Sequence, residues 1–532
     1  MKCSHSVVTI IVALAVTIST ASAQRGTGPR VRTANGLVQG VTEPHGIQVF
    51  KGIPFAAPPV RALRWRPPEP VHEWQGVRRA DRFGPQCMQM RVFGDMVFRN
   101  SGVSEDCLYL NVWTPAASGT AHRPVLVYFY GGGFVAGDGS EFRYDGESLA
   151  RRGIVVVTVS YRLGIFGFFA HPALTAESGD HASGDYALLD QVQALLWVRR
   201  NIAAFGGDPD KVTIGGESAG SFSVSALMAS PLARGLFRGA IGESGSILGD
   251  RAPVPLDSAE QRGLGFAKHV GAASLADLRG IPAMQLLLEA SRPGVPRFAM
   301  TVDGYFLPKP PLDIYAAGEQ AHVPLLVGWN STEMGPGFLL GSKAPTPANF
   351  EAAVRALYGT NADAVLRVYP AANDSEARAS ATALASDRFI VYGTWKWAEM
   401  QRTTGDAPVY RYLFARPRPP LTAEGLIDLG NPGPQPGGAV HSAEIEYALG
   451  NLATNPMHAW TEDDYAVSRV MEGYIANFIT TGDPNGAGLP TWPAAGSSPD
   501  GPVRLMRIDV HSGAEVATHR DRYLLLDRLR SP

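Results

Sequence analysis

The chain has 532 residues, 45% of them hydrophobic and 18% charged, with 47 basic side chains against 49 acidic ones. So much apolar content with so little net charge excludes an intrinsically disordered chain. The balanced sign argues against a nucleic-acid partner, which selects a basic surface.

The first element is a targeting segment. Residues 1–23 read as a secretory signal, with Lys2 at the charged start and an apolar run from Val7 to Ile18 broken only by threonine. Ala21-Ser22-Ala23 is the cleavage site. The run is too short for a membrane span, which needs about 20 apolar residues. Cleavage leaves residues 24–532 as the mature chain, secreted or periplasmic and without a membrane span. It also accounts for the odd cysteine count, since Cys3 goes with the signal and Cys87 and Cys107 remain. In an oxidising compartment that pair is expected to form a disulfide, closing a loop that contributes about 3 kcal/mol.

Val125 to Tyr130 reads as a continuous apolar strand running into Gly131-Gly132-Gly133, and Ile154 to Val159 as a second one. Residues 184–205 carry Leu188, Val192, Leu195 and Ile202 at helical spacing, and Gly206-Gly207-Asp208-Pro209 ends that helix. A short strand, Val212 to Ile214, precedes Gly216-Glu217-Ser218-Ala219-Gly220, after which a helix is expected to about Ala229, stopped near Pro231. Val323 to Val327 is a further buried strand. Strands apolar on both faces, alternating with helices, imply an α/β fold with a large, mostly parallel sheet covered on both sides. Residues 416–438 hold six prolines, so no regular element is expected there. That stretch is a surface connection or a cover over a site entrance, because it leads directly to His441.

Gly216-x-Ser218-x-Gly220 lies between a short apolar strand and a predicted helix, the context a nucleophile elbow requires. The sharp turn lifts the serine off the sheet edge, and its glycines leave room where a Cβ would clash. The helix start aims free N–H groups at an oxyanion. Gly242-Glu243-Ser244-Gly245-Ser246 is a near miss that lacks the last glycine and has no comparable helix after it.

A serine hydroxyl needs a base. In this fold class the partners follow in the order Ser, acid, His. Six histidines follow Ser218: His269, His322, His441, His458, His511 and His519. His441 is the best candidate by position. The acid should end a core strand, which favours Glu333 over Asp303 and Glu289. Gly131-Gly132-Gly133-Phe134 then supplies backbone donors to the oxyanion. The same segment, as Gly131-x-Gly133-x-x-Ala136, formally matches a dinucleotide fingerprint, but Gly137-Asp138-Gly139-Ser140 reads as more loop where that motif wants a helix.

These residues carry a resemblance. Phe50 to Pro59, Ser104 to Trp113, Tyr130 to Phe134, Tyr161 to Gly164 and Gly216 to Gly220 resemble the type-B carboxylesterases, a group of α/β-hydrolases that includes cholinesterases. The resemblance spans nearly the whole mature chain. It implies one catalytic unit over residues 24–532, with long insertions forming a gorge. It implies Ser218 as nucleophile, Glu333 as acid, His441 as base, and Gly132, Gly133 and Ala219 as oxyanion donors. It also implies the Cys87–Cys107 bridge. Three departures stand out. No tryptophan lies between those cysteines, where cholinesterases stack a choline cation. Tyr130 replaces the histidine that many members carry before the glycines. Ser331-Thr332-Glu333-Met334 replaces the commoner Asp-Glu-Gly around the acid.

The expected activity is hydrolysis of a small-molecule carboxylic ester through an acyl-enzyme, with no cofactor and no metal, since no zinc-binding motif occurs. Two rivals share the fold. One is an adhesion homologue without catalysis. The other is an acyltransferase or amidase using the same three groups.

Overall fold

The apolar runs of the sequence become neighbouring strands in a computed structural model of the chain, which describes residues 28–115, 120–429, 437–496 and 502–530. The expected signal lies outside the described residues. Among the described residues eleven strands form the main sheet. In chain order they are β1 (Val41–Thr42), β2 (Gln48–Pro54), β3 (Tyr109–Thr114), β4 (Arg123–Phe129), β5 (Val155–Val159) and β6 (Gly207–Glu217). They continue as β7 (Gly239–Glu243), β8 (Leu325–Asn330), β9 (Val409–Phe414), β10 (Arg504–Ile508) and β11 (Gly513–Val516). Their spatial order is 1-2-3-5-4-6-7-8-9-10-11.

The pairs from β5 through β4, β6, β7, β8 and β9 to β10 are all parallel. The outer pairs, β1 with β2, β2 with β3, β3 with β5 and β10 with β11, are antiparallel. Every residue of β5, β7 and β8 is buried. Successive strand residues point to opposite faces, so such strands must be covered on both sides. Helix Tyr186–Asn201 packs on β6, helix Ala219–Ala229 on β6 and β7, and helix Glu462–Thr481 on β4 and β6. Two satellite cores lie off the sheet. One gathers Trp65, Phe166, Phe169 and Phe266, the other Phe350, Val354, Tyr369 and Leu384.

The helix expected over residues 184–205 runs Tyr186–Asn201 and tightens into a 3-10 turn, Ile202–Phe205. Gly206 ends it at φ 87°, a left-handed position that glycine adopts without a Cβ penalty. Cys87 and Cys107 are joined as a disulfide. One expectation needs correction. The proline-rich stretch does hold a regular element, helix Ala423–Leu429. The prolines sit at positions 417, 419 and 420 and then at 432, 434 and 436, leaving a proline-free window between them. Proline breaks a helix only where it falls inside one. Residues 430–436, the centre of any cover over the entrance, lie outside the described residues.

Candidate active site

β6 ends at Glu217 and helix Ala219–Ala229 starts two residues later, so Ser218 must carry the whole change of direction. It does so at φ 54° and ψ −118°, a conformation L-residues rarely adopt. The flanking glycines make the turn possible. A Cβ on Gly216 would lie 2.6 Å from the carbonyl oxygen of Phe129 and from the carbonyl carbon of Gly220. A Cβ on Gly220 would collide with the Phe129 carbonyl. The backbone N–H of Ser218 donates to Glu243 O on the neighbouring strand, 2.8 Å, pinning the turn to the sheet.

His441 comes from a distant part of the chain and is brought in by backbone pairing. Thr332, just past β8, bridges to Val440, and its N–H donates to Ala439 O at 2.8 Å. Asn330 Nδ2 donates to Val440 O at 2.8 Å. With those strands side by side, Glu333 Oε2 lies 2.7 Å from His441 Nδ1. His441 Nε2 lies 2.9 Å from Ser218 Oγ. The second carboxylate oxygen of Glu333 accepts from Ser244 Oγ at 2.5 Å and from the Asn330 N–H at 2.6 Å. Both its oxygens are therefore occupied, and the carboxylate cannot swing away from the imidazole.

The glycine loop after β4 lies against this elbow. A Cβ on Gly131 would sit 3.1 Å from Ser218 Cβ. Gly132 takes φ 115°, and its carbonyl accepts the N–H groups of Val135 and Ala136, so the loop folds back on itself as a turn. No helix opens after it, as the loop character of residues 137–140 leads one to expect. Tyr130 stacks on Tyr161 with ring centroids 4.4 Å apart, and Tyr161 Oη donates to Tyr130 O at 2.6 Å. That clamp holds the start of the glycine loop against the segment after β5. Ala219 is the first residue of its helix, so its N–H has no intrahelical partner.

The rivals from the sequence fall elsewhere. Glu289 pairs with His269 at 3.1 Å, and Asp303 accepts from the N–H groups of Tyr305 and Leu307. His322 faces Gly318 O, and His458 faces Pro419 O.

Three carboxyl groups that sequence reasoning passed over crowd the same place. Glu217 Oε1 lies 3.2 Å from His441 Nε2. Burial raises the Glu217 carboxyl to about 8, against the opposing pull of the charged His441 ring. Glu444 receives Asn330 Nδ2 at 2.5 Å, and burial, then the neighbouring Glu333, raises it to about 7. Glu243 receives Tyr128 Oη at 3.1 Å, and its burial pushes it well above the ordinary carboxylate range. For His441, burial works against the charged ring, but the carboxylates of Glu217 and Glu333 outweigh it and lift the imidazole to about 9. Glu217 was visible inside the elbow motif itself, and Glu444 three residues after His441. Neither position announces a buried acid without the fold.

A sheet with its central strands parallel, a strained serine at a strand-to-helix turn and a histidine held between that serine and an acid are the marks of the α/β-hydrolase fold. The chain belongs to the carboxylesterase family of ester hydrolases, whose family model matches residues 27–523. It is 36% identical over 471 residues to a fumonisin B1 esterase of Sphingopyxis macrogoltabida, covering 87% of this chain and 83% of that protein. It is 35% identical to a medium-chain fatty acyl-CoA hydrolase precursor of Anas platyrhynchos, covering 92% and 91%. The crystal structure of the carboxylesterase EST55 of Geobacillus stearothermophilus superposes with a TM-score of 0.79 at 32% identity, covering 93% of this chain and 99% of that one. Among the described residues no helix is long and apolar enough to cross a membrane.

Proposed function

We propose that this chain hydrolyses small carboxylic esters through Ser218, His441 and Glu333 by way of an acyl-enzyme. The observation that carries the reading is the unbroken line from Ser218 Oγ through both ring nitrogens of His441 to Glu333, at 2.9 and 2.7 Å. Ser218 Oγ attacks the ester carbonyl as His441 Nε2 takes its proton. Glu333, fixed by Ser244 and Asn330, holds the other ring nitrogen as the N–H tautomer and stabilises the imidazolium. The N–H groups of Gly132, Gly133 and Ala219 receive the oxyanion, each lowering the barrier by on the order of 3 kcal/mol. His441 returns its proton to the departing alcohol. Water, deprotonated by the same ring, then releases the acid and restores Ser218.

Residues 24–532 act as one catalytic unit, because the three residues reach a common point from β6, β8 and the segment after the proline-rich stretch. Residues 1–23 direct export to the periplasm or beyond, a reading supported by the Cys87–Cys107 bridge, which needs an oxidising compartment. A fluorophosphonate probe tests the nucleophile. The wild-type chain should be labelled at one serine and Ser218→Ala should not. Labelling that persists in the variant rejects the assignment.

A further inference from the structure

The wall beside His441 carries a charge that the proposed chemistry does not use. Helices Asp374–Ser386 and Tyr392–Thr404 are joined through a π-helical turn, Asp387–Val391. Such turns add a residue to the helix and redirect side chains, and they concentrate at functional sites. Here Phe389 projects from it and meets His441 edge to face, ring centroids 5.0 Å apart. Phe338, more than half exposed, packs against Phe389 with ring centroids 6.0 Å apart. Arg251 lies over the Phe389 ring, its guanidinium carbon 5.0 Å from the centroid. Two 5.0 Å steps laid end to end put that guanidinium within about 10 Å of the imidazole.

Two neighbouring cations are engaged. Arg388 donates to Tyr358 Oη at 3.2 Å, and Arg530 forks Asp250, the acid next to Arg251 in sequence. Arg251 has no hydrogen bond or ion pair with the other described residues. The groups that act on it are Asp250, already bound by Arg530, and the exposed Arg297, a second cation. Partial burial, then the like charge of Arg297, lowers the Arg251 pKa, with Asp250 acting the other way. An apolar aromatic surface beside His441, with an arginine over it that has no ion pair among the described residues, suits one kind of ligand. It is an ester whose carbon chain lies on Phe338 and Phe389 and ends in an anion, which an arginine fork binds bidentately.

We propose that Arg251, with Arg297 beside it, is a specificity determinant that favours esters bearing a free carboxylate several bonds from the scissile carbonyl. This rests on the ester-hydrolase reading above and names its substrate class. The probes are matched para-nitrophenyl esters: hydrogen glutarate against valerate, and hydrogen adipate against hexanoate. A second pair carries the carboxylate on the alcohol side, para-acetoxybenzoate against phenyl acetate. The readout is the ratio of kcat/KM for the anionic ester to that for its neutral partner.

In Arg251→Gln the ratio should fall at least about tenfold for one arrangement of the carboxylate, mainly through KM. Arg251→Lys should keep part of it, and Arg251→Gln with Arg297→Gln should lower it further. Raising NaCl to about 0.5 M should lower the wild-type ratio and leave that of the double variant unmoved. A ratio unchanged by all three variants, on either side of the ester, overturns the proposal while turnover of the neutral esters keeps the hydrolase reading intact. Failure of the wild type to cleave any ester overturns the hydrolase reading itself.

Discussion

Ser218 and Ser244 sit at the ends of adjacent parallel strands, β6 and β7, and look alike locally. Both follow a Gly-Glu pair, and both turn through the left-handed region, at φ 54° and 55°. Their fates differ. After Ser218 a helix begins at once, with Gly220 close under the Phe129 carbonyl, and the hydroxyl is left partly open and facing His441. After Ser244 there is no helix, and the side chain is fully buried. Its hydroxyl donates to Glu333 at 2.5 Å, with Glu444 3.2 Å away. Ser246, where the elbow has its second glycine, spends its hydroxyl on Gly393 O. A strained turn is thus not what makes a nucleophile. On the proposed mechanism, the helix behind the turn and the histidine in front of it do, while the second serine hydrogen-bonds Glu333.

Substitutions should separate the two serines widely. Ser218→Ala should lower ester kcat by on the order of 10⁴- to 10⁶-fold with little change in Tm, measured by steady-state turnover and thermal melting. Glu333→Gln, which leaves the shape but removes the charge that Ser244 helps to hold, should cost about 10⁴-fold in kcat. Ser244→Ala should cost far less. It removes one hydrogen bond to a charged group, about 1.5–3 kcal/mol, or roughly 10- to 150-fold in kcat, and the variant should still take up a fluorophosphonate. If Ser244→Ala were as inert as Ser218→Ala, the division of roles would fail.

The smallest effect is expected at Glu217. Its anion favours the protonated form of His441, and that form cannot act as base. Removing the charge with Glu217→Gln should therefore lower the pKa of His441, and the acid limb of the kcat/KM profile should move to lower pH. In the wild type that limb should lie above the ordinary histidine value near 6.5, because the surrounding carboxylates raise the ring. A limb that stays in place in the variant would show that Glu217 is neutral throughout.

Much of the sheet is written into the chain. The runs at residues 125–130, 154–159 and 323–327 are apolar at every position, and only a strand covered on both faces suits such a run. The edge strands were less legible, because β1 with two residues and β11 with four have no room to display a period. Helix Ala423–Leu429 escaped notice because prolines dominate the composition around it while leaving its own span free. Among site residues, Ser218 was legible from a local motif. Glu333 and His441 were legible through chain order, their places after a core strand and after the proline-rich stretch, and family resemblance, since a lone glutamate or histidine carries no local signal. Glu217, Ser244, Glu444 and Phe389 matter through what lies across from them, and adjacency across strands has no trace in a linear pattern.

What the sequence by itself determined about this protein is therefore whatever depends on neighbours along the chain. That covers the glycines that permit the Ser218 turn, the both-faced burial of the central strands and the cysteine pair that can close a loop. The tertiary structure alone decided which histidine meets which acid. The pairing of Thr332 with Val440 brings together residues more than a hundred positions apart, and two hydrogen bonds then lock Glu333 against His441. It also decided that Ser244 bonds Glu333, and that Phe389 meets the His441 ring edge to face. Those contacts form only when separate segments share one buried volume, where an unpaired polar group costs enough to force a partner on it.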